Sequence, residues 1–455
     1  GAAARGKTSV PGVVGTSGGL AFSASPTTPV SFTGTLDRGS VLVGGDASVR
    51  MELVIGAPGA EERAGARVPT DLVVILDRSG SMQGGKMEHA RAAIRELVGE
   101  LAPEDRFALV TYSNGASLAI APMAATSEAR SSWLATVAAI SPDGGTNLSS
   151  GLDLGLETID GIRAGGRVPR AIVISDGLAN QGDYSPDGLV RRATRAARGE
   201  YPLTTVGVGA DFNETLMRSL ADAGTGNYYY VSDPRELGNV FAREFDAART
   251  TVASALEVRI APAAGVQVTD AAGYPLERSG DAVVFRPGSL FAGQERRIWV
   301  TLAVPNQAAG EHPLGRFELA YARNGERSTL RFDETPEVAS VAREDDFYAS
   351  LDGKTWERSV VVDDYNKMQE EVAREVKSGN RDEAIRKIES FRGQAAAINT
   401  RVMSAPVQQK LDSLKDLEKE VASAFEGDDQ VSRQNELSKA KGAKALDERR
   451  LGAKR

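Results

Sequence analysis

The period of hydrophobic and polar positions changes along the chain, and each change marks a different kind of structure. Over residues 41–55 the pattern alternates, with Val49, Met51, Leu53 and Ile55 on one face, which predicts a half-buried antiparallel strand. Residues 72–76 are apolar on both faces, the mark of a central parallel strand. Met87, Ala90, Ile94, Leu97 and Leu101 then recur at helical spacing. Apolar runs at 107–112, 171–175, 203–208 and 228–231 alternate with helical patterns around Trp133 and Val137, from Leu216 to Leu220, and from Pro234 to Arg249. Residues 68–249 therefore read as a doubly wound α/β domain with a mostly parallel sheet.

After Thr250 the period returns to two. Leu256, Val258 and Ile260 alternate, as do Ile298, Val300, Leu302 and Val304, and Asn324-Gly325 between alternating runs signals a hairpin. Residues 251–335 are thus expected to form an antiparallel β-sandwich of about five strands, with residues 30–60 covering its open edge. The α/β domain would then be inserted in, or flanked by, that sandwich. Residues 363–426 carry three amphipathic stripes and predict a helical bundle. Residues 431–455 hold eight Lys and Arg against three Asp and Glu, which reads as a solvated basic tail, with contact to acidic lipid or protein as the alternative. Residues 1–29 are rich in Gly, Ala, Ser, Thr and Pro and read as a flexible leader. The formal match of Gly1 to Thr8 to a phosphate-binding loop lacks the strand and helix such a loop needs.

Composition narrows the chemistry. The 455 residues allow about three domains, and no stretch approaches the roughly 18 apolar residues of a membrane span. A net charge of −8 argues against nucleic acid as a partner, and the lack of cysteine excludes disulfides, thiolate metal sites and thiol catalysis.

Candidate chemistry sits at strand ends of the α/β domain. Asp77 opens the loop Asp77-Arg78-Ser79-Gly80-Ser81, Thr146 lies in Asp143-Gly144-Gly145-Thr146-Asn147, and Asp176 follows Ser175 at the end of another strand. In doubly wound folds such ends border the ligand crevice, so Asp77, Ser79, Ser81, Thr146 and Asp176 can converge. Two carboxylates and three hydroxyls form a hard, all-oxygen set suited to Mg²⁺ or Mn²⁺, with Ca²⁺ as a further hard ion, rather than zinc. Asp143 and Asn147 read as loop-shaping and Asp153 as a helix-surface residue, while His89 and His312 lie off the crevice loops. No nucleophile and base stand paired, and Ser79 replaces the second carboxylate of a phosphatase-type motif, so an enzyme is not expected.

These residues, in this order on alternating strands and helices, resemble a von Willebrand factor type A domain with a complete metal-ion-dependent adhesion site. The runs Gly207-Val208-Gly209-Ala210-Asp211 and 223–230 are similar to bacterial members, and the flanking β segments resemble inter-α-trypsin-inhibitor heavy-chain-like proteins. The resemblance implies adhesion or protein recognition, in which a partner's Asp or Glu completes the coordination of the ion. The resulting expectation is an exported bacterial protein of the periplasm or cell surface, secreted or held by an upstream lipid tether. The alternative is an intracellular assembly or chaperone adaptor working with an AAA+ ATPase.

Overall fold

The computed structural model describes residues 19–25, 29–59, 68–209, 212–231, 233–323 and 326–451. Most of the leader 1–29, the Gly1 to Thr8 motif, the charged loop at 61–67, the Asn324-Gly325 turn and Asp211 lie outside them.

The six-stranded sheet of the α/β domain has the spatial order Thr225–Val231, Leu203–Val208, Val168–Ser175, Thr70–Asp77, Arg106–Tyr112, Ala116–Ala124. The first five strands run parallel and the last is antiparallel. Alternation within the central strand feeds two separate cores. Leu72, Val74 and Leu76 face the helices Gly85–Glu100, Ser127–Ala139 and Leu237–Thr250, whereas Val73 and Ile75 face Leu148–Ile162, Pro186–Arg198 and Glu214–Ala223. Burial on both faces explains the unbroken apolar run.

The sandwich is discontinuous in sequence. One sheet has the order Ala21–Ser23, Ser31–Leu36, Ser48–Gly56, Glu295–Ala303, Gln267–Ala271, and the other Glu277–Ser279, Ala282–Phe291, Thr251–Pro262, Gly315–Arg323, Glu326–Arg331. Met51 stands opposite Val300 in the pairing that joins the two halves. Phe32, Met51 and Ile298 from the first sheet share one core with Leu256, Phe285 and Phe317 from the second. The described part of residues 251–335 forms eight strands rather than about five. The additional ones are short, such as Glu277–Ser279 and Gly310–Pro313, and a run of three or four residues carries no readable period.

Helix Leu237–Thr250 runs without a linker into strand Thr251–Pro262. The junction is pinned by buried Arg170, which pairs with Glu244 at 3.0 Å and donates to Thr251 Oγ1 at 3.2 Å.

The C-terminal third contains more helices than the three stripes predict. Gly353–Arg358 continues through a π turn, Ser359–Asp364, into Tyr365–Lys377; Arg381–Val402 and Ala405–Ala424 pack on it around Trp356, Val372, Ile388 and Leu414.

The basic stretch at 431–455 departs from its expected solvated state. Gln430–Ser438, a second π turn at Lys439–Ala443 and Lys444–Leu451 are helical, while residues 452–455 lie outside the described part. A Cβ on Gly442 would come within 3.2 Å of the Ala373 Cβ, so this segment lies close against helix Tyr365–Lys377. Arg449 is almost wholly buried and meets Asp363 at 2.8 Å, Glu370 at 3.1 Å, and Asp270. Arg450 pairs with Asp222 of the α/β domain and donates to the Gly273 carbonyl of the sandwich. Basic composition reads as solvation only where no carboxylates are supplied, and here the α/β domain, the sandwich and the helical module all supply them. No described helix is long and apolar enough to cross a membrane.

Candidate functional site

Three loops at the carboxyl ends of the parallel strands are laced together by backbone hydrogen bonds. Gly80 N–H donates to the Gly144 carbonyl at 3.0 Å and Asp143 N–H to the Arg78 carbonyl at 2.8 Å, tying the first loop to the second. The Thr146 carbonyl accepts from Asn180 N–H at 3.0 Å, while Thr146 N–H donates to Asn180 Oδ1 at 3.0 Å, tying the second to the third. Asn147 caps helix Leu148–Ile162 by accepting from Ser150 N–H. Such cross-bonding fixes side chains that individually sit on loops.

Within this frame Asp77 is fully buried. Its Oδ1 accepts from Ser79 N–H at 2.8 Å, and its Oδ2 from the Ser175 hydroxyl at 2.9 Å. The Ser79 and Ser81 hydroxyls lie 3.0 Å apart, and Ser81 Oγ donates to Asp176 Oδ1 at 2.8 Å. Gly177 locates Thr146: a Cβ there would lie 3.3 Å from Ser81 Oγ and 3.6 Å from Thr146 Oγ1, so both hydroxyls face one point above that glycine. Asp77, Ser79, Ser81, Thr146 and Asp176 are thus gathered at one end of the sheet. Ser81 is the solvent-exposed member of the set, and the other four are buried.

Burial raises the Asp77 carboxyl above its ordinary range, against the hydrogen bonds from Ser79 and Ser175, with the Asp176 charge adding to the rise. Buried Tyr112, whose hydroxyl stands 3.4 Å from Asp77 Oδ2, is pushed well above its usual value by the same desolvation.

The donor chemistry fits a hard divalent cation, because all the groups are oxygens and the two carboxylates carry two charges. Among the described residues no cluster of three or more acidic, imidazole or thiol side chains stands ready for a metal, so hydroxyls must complete any such shell.

Asp153 pairs with Arg192 at 2.9 Å away from the crevice, and His312 bonds Ser340 in the small sheet of Gly310–Pro313, Glu337–Val341 and Ser40–Leu42. Sequence reasoning missed Lys86, whose Nζ lies 2.5 Å from Asp176 Oδ2. Its only sequence signal is a cation in the first turn of the helix after the Asp77 loop. It also missed the role of Ser175, because a strand-end serine carries no distinguishing pattern.

The model of the von Willebrand factor type A domain matches residues 71–243. An uncharacterized protein of Synechocystis, sll0103, is 23% identical over 265 residues, 56% of this chain and 62% of that protein. YfbK of Escherichia coli is 28% identical over 204 residues, 44% and 35% of the two chains. Inter-alpha-trypsin inhibitor heavy chain H3 of Mesocricetus auratus is 30% identical over 164 residues, 34% and 18% respectively. The matched stretches thus span less than two thirds of these relatives' own lengths.

Two solved structures share the architecture beyond the matched domain. The von Willebrand factor type A protein from Catenulispora acidiphila superposes with a TM-score of 0.64 at 18% identity, covering 95% of this chain and 97% of that one. The ArnB paralog VWA2 from Sulfolobus acidocaldarius gives 0.54 at 16% identity, over 91% and 98%. Domains of this family mediate protein–protein interaction and adhesion, and commonly bind a divalent ion. The α/β unit that closes these loops together is a von Willebrand factor type A domain.

Proposed function

We propose that this chain is an exported bacterial recognition or adhesion protein that binds an acidic residue of a protein partner through a Mg²⁺-type ion. The observation that carries the reading is the convergence of two carboxylates and three hydroxyls on loops held by their own backbone bonds. Asp77, Ser79, Ser81, Thr146 and Asp176 would hold the ion. When bound, the ion supplies a positive centre that an outside carboxylate can complete. Hydroxyl donors leave that centre more charge than further carboxylates would, which favours an acidic partner. The rim suits a protein surface, since Leu178 and Tyr184 of the third loop are exposed. The export component rests on the composition of residues 1–29, which suits a tether.

Calorimetry with Mg²⁺ and Mn²⁺ tests the reading. Wild type is expected to bind one ion, and Asp77→Ala and Asp176→Ala are expected to lose it while retaining a cooperative melt. Equal ion affinity in all three proteins would overturn the site. Fractionation of cells expressing the full gene tests export, with the expected signal in the periplasm or on the surface.

A further inference from the structure

Lys86 has no place in the donor set, yet it makes the shortest contact to it. Its Nζ reaches Asp176 Oδ2 at 2.5 Å and the Ser81 carbonyl at 3.4 Å. Asp176 is wholly enclosed, whereas Lys86 remains 31% exposed. The side chain arrives from the first turn of helix Gly85–Glu100 and lies across Gly209, where an added Cβ would stand 3.3 Å from the Lys86 Cε. A glycine with φ +84° at that point leaves room for the lysine stem. Both Asp176 oxygens are therefore engaged from within the chain, one by Ser81 and the other by an ammonium.

We infer that Lys86 is a tethered internal cation that competes with a divalent ion for Asp176 and thereby sets the ion affinity of the site. The inference rests on the metal reading above and adds a residue that the five-member donor set leaves out. A single ammonium offsets one of the two carboxylate charges without using the remaining hydroxyls. A half-exposed lysine on a flexible stem can leave, which a buried arginine fork cannot do as readily. Like charges close together repel strongly in a partly enclosed site, so ammonium and divalent ion disfavour each other there. The arrangement fixes both Asp176 oxygens and raises the concentration of ion needed to fill the site.

The test compares wild type, Lys86→Met and Lys86→Arg in the full chain, titrated calorimetrically with Mn²⁺ and with Mg²⁺. Methionine keeps the apolar stem and removes the charge. Lys86→Met is expected to bind about tenfold more tightly or better, and Lys86→Arg to stay near wild type. A second readout is the rise in Tm on adding saturating Mg²⁺ to chelator-treated protein, which is expected to be larger for Lys86→Met than for wild type. Equal or weaker ion binding by Lys86→Met overturns the inference while leaving the metal reading intact. Absence of binding in both proteins overturns the two together.

Discussion

Two places in this molecule gather carboxylates from distant segments around a cation, and they do so in opposite styles. At the crevice, one half-exposed lysine reaches a single oxygen of Asp176, while neighbouring Asp77 is held by Ser79 and Ser175. At the junction of the three modules, Asp270, Asp363 and Glu370 surround Arg449, which is 2% exposed and engages all three. The first cluster has spare hydroxyls and an open side; in the second, the guanidinium fork is used in several directions at once. A single ammonium on a flexible stem engages one carboxylate oxygen, whereas a planar guanidinium wrapped by three carboxylates engages all of its partners at once.

Removing Arg449 tests the closed style most severely. Arg449→Leu leaves three enclosed carboxylates without their counter-charge and is expected to cost about 3–5 kcal/mol, read by denaturant unfolding. Loss near zero would mean that the cluster is not part of the folded core.

A smaller effect comes from pH. Burial pushes the Asp363 carboxyl up to about 6, with Arg449 opposing the rise, and burial raises Glu370 as well. A carboxyl raised on folding makes the folded state bind the proton more tightly. Its stabilising contribution is present below the ordinary carboxylate range and is lost as pH rises through the raised value. Unfolding free energy is therefore expected to fall by about 1 kcal/mol between pH 5 and pH 7 from Asp363, and Asp363→Asn should flatten that slope. A wild-type slope that Asp363→Asn leaves unchanged would assign the effect elsewhere.

The open cluster should behave in the reverse way, with a large change in binding and a small one in folding. Asp77→Asn keeps an oxygen to accept from Ser79 N–H, so its stability is expected to stay within about 1 kcal/mol of wild type while ion binding disappears. The smallest effect belongs to a third pairing, Arg192 of helix Pro186–Arg198 with Asp153 and with Asp183 of the third loop, on the solvent-facing side of the same domain. Arg192→Ala is expected to leave both Tm and ion affinity unchanged, because solvent screens such pairs.

The open cluster was far more legible in the sequence than the closed one. Asp77 and Asp176 stand at the ends of apolar strands, Ser79 and Ser81 follow Asp77 in the same loop, and Thr146 stands in the Gly-Gly loop before helix Leu148–Ile162, so their convergence follows from local pattern plus fold class. Arg449 lies in a stretch whose composition signals solvation, and its partners stand 79, 86 and 179 residues away. Nothing in a one-dimensional pattern announces which carboxylates will be brought to it. The strand Ala116–Ala124 was unread for a related reason. Ile120 alone in it is buried, so its apolar residues follow the needs of a sheet edge rather than a core. Lys86 was invisible because a lysine in a first helical turn is ordinary, and only Gly209, from a strand end more than a hundred residues on, gives it a path.

The segment Lys444–Leu451 has a consequence for how the chain reaches its native state. Its ion pairs draw on Asp222 in the α/β domain, Asp270 in the sandwich, and Asp363 and Glu370 in the helical module. The sandwich itself closes only when strands Ser48–Gly56 and Glu295–Ala303 meet across the whole inserted domain. Contacts this distant in sequence form late, after the local ones. The segment therefore docks on a surface that three parts of the chain contribute together. A chain with any one of them misassembled would leave Arg449 without part of its carboxylate shell, and the segment would stay undocked as a target for proteases. Helix Lys444–Leu451 thus joins in one place the α/β domain, the sandwich and the helical module.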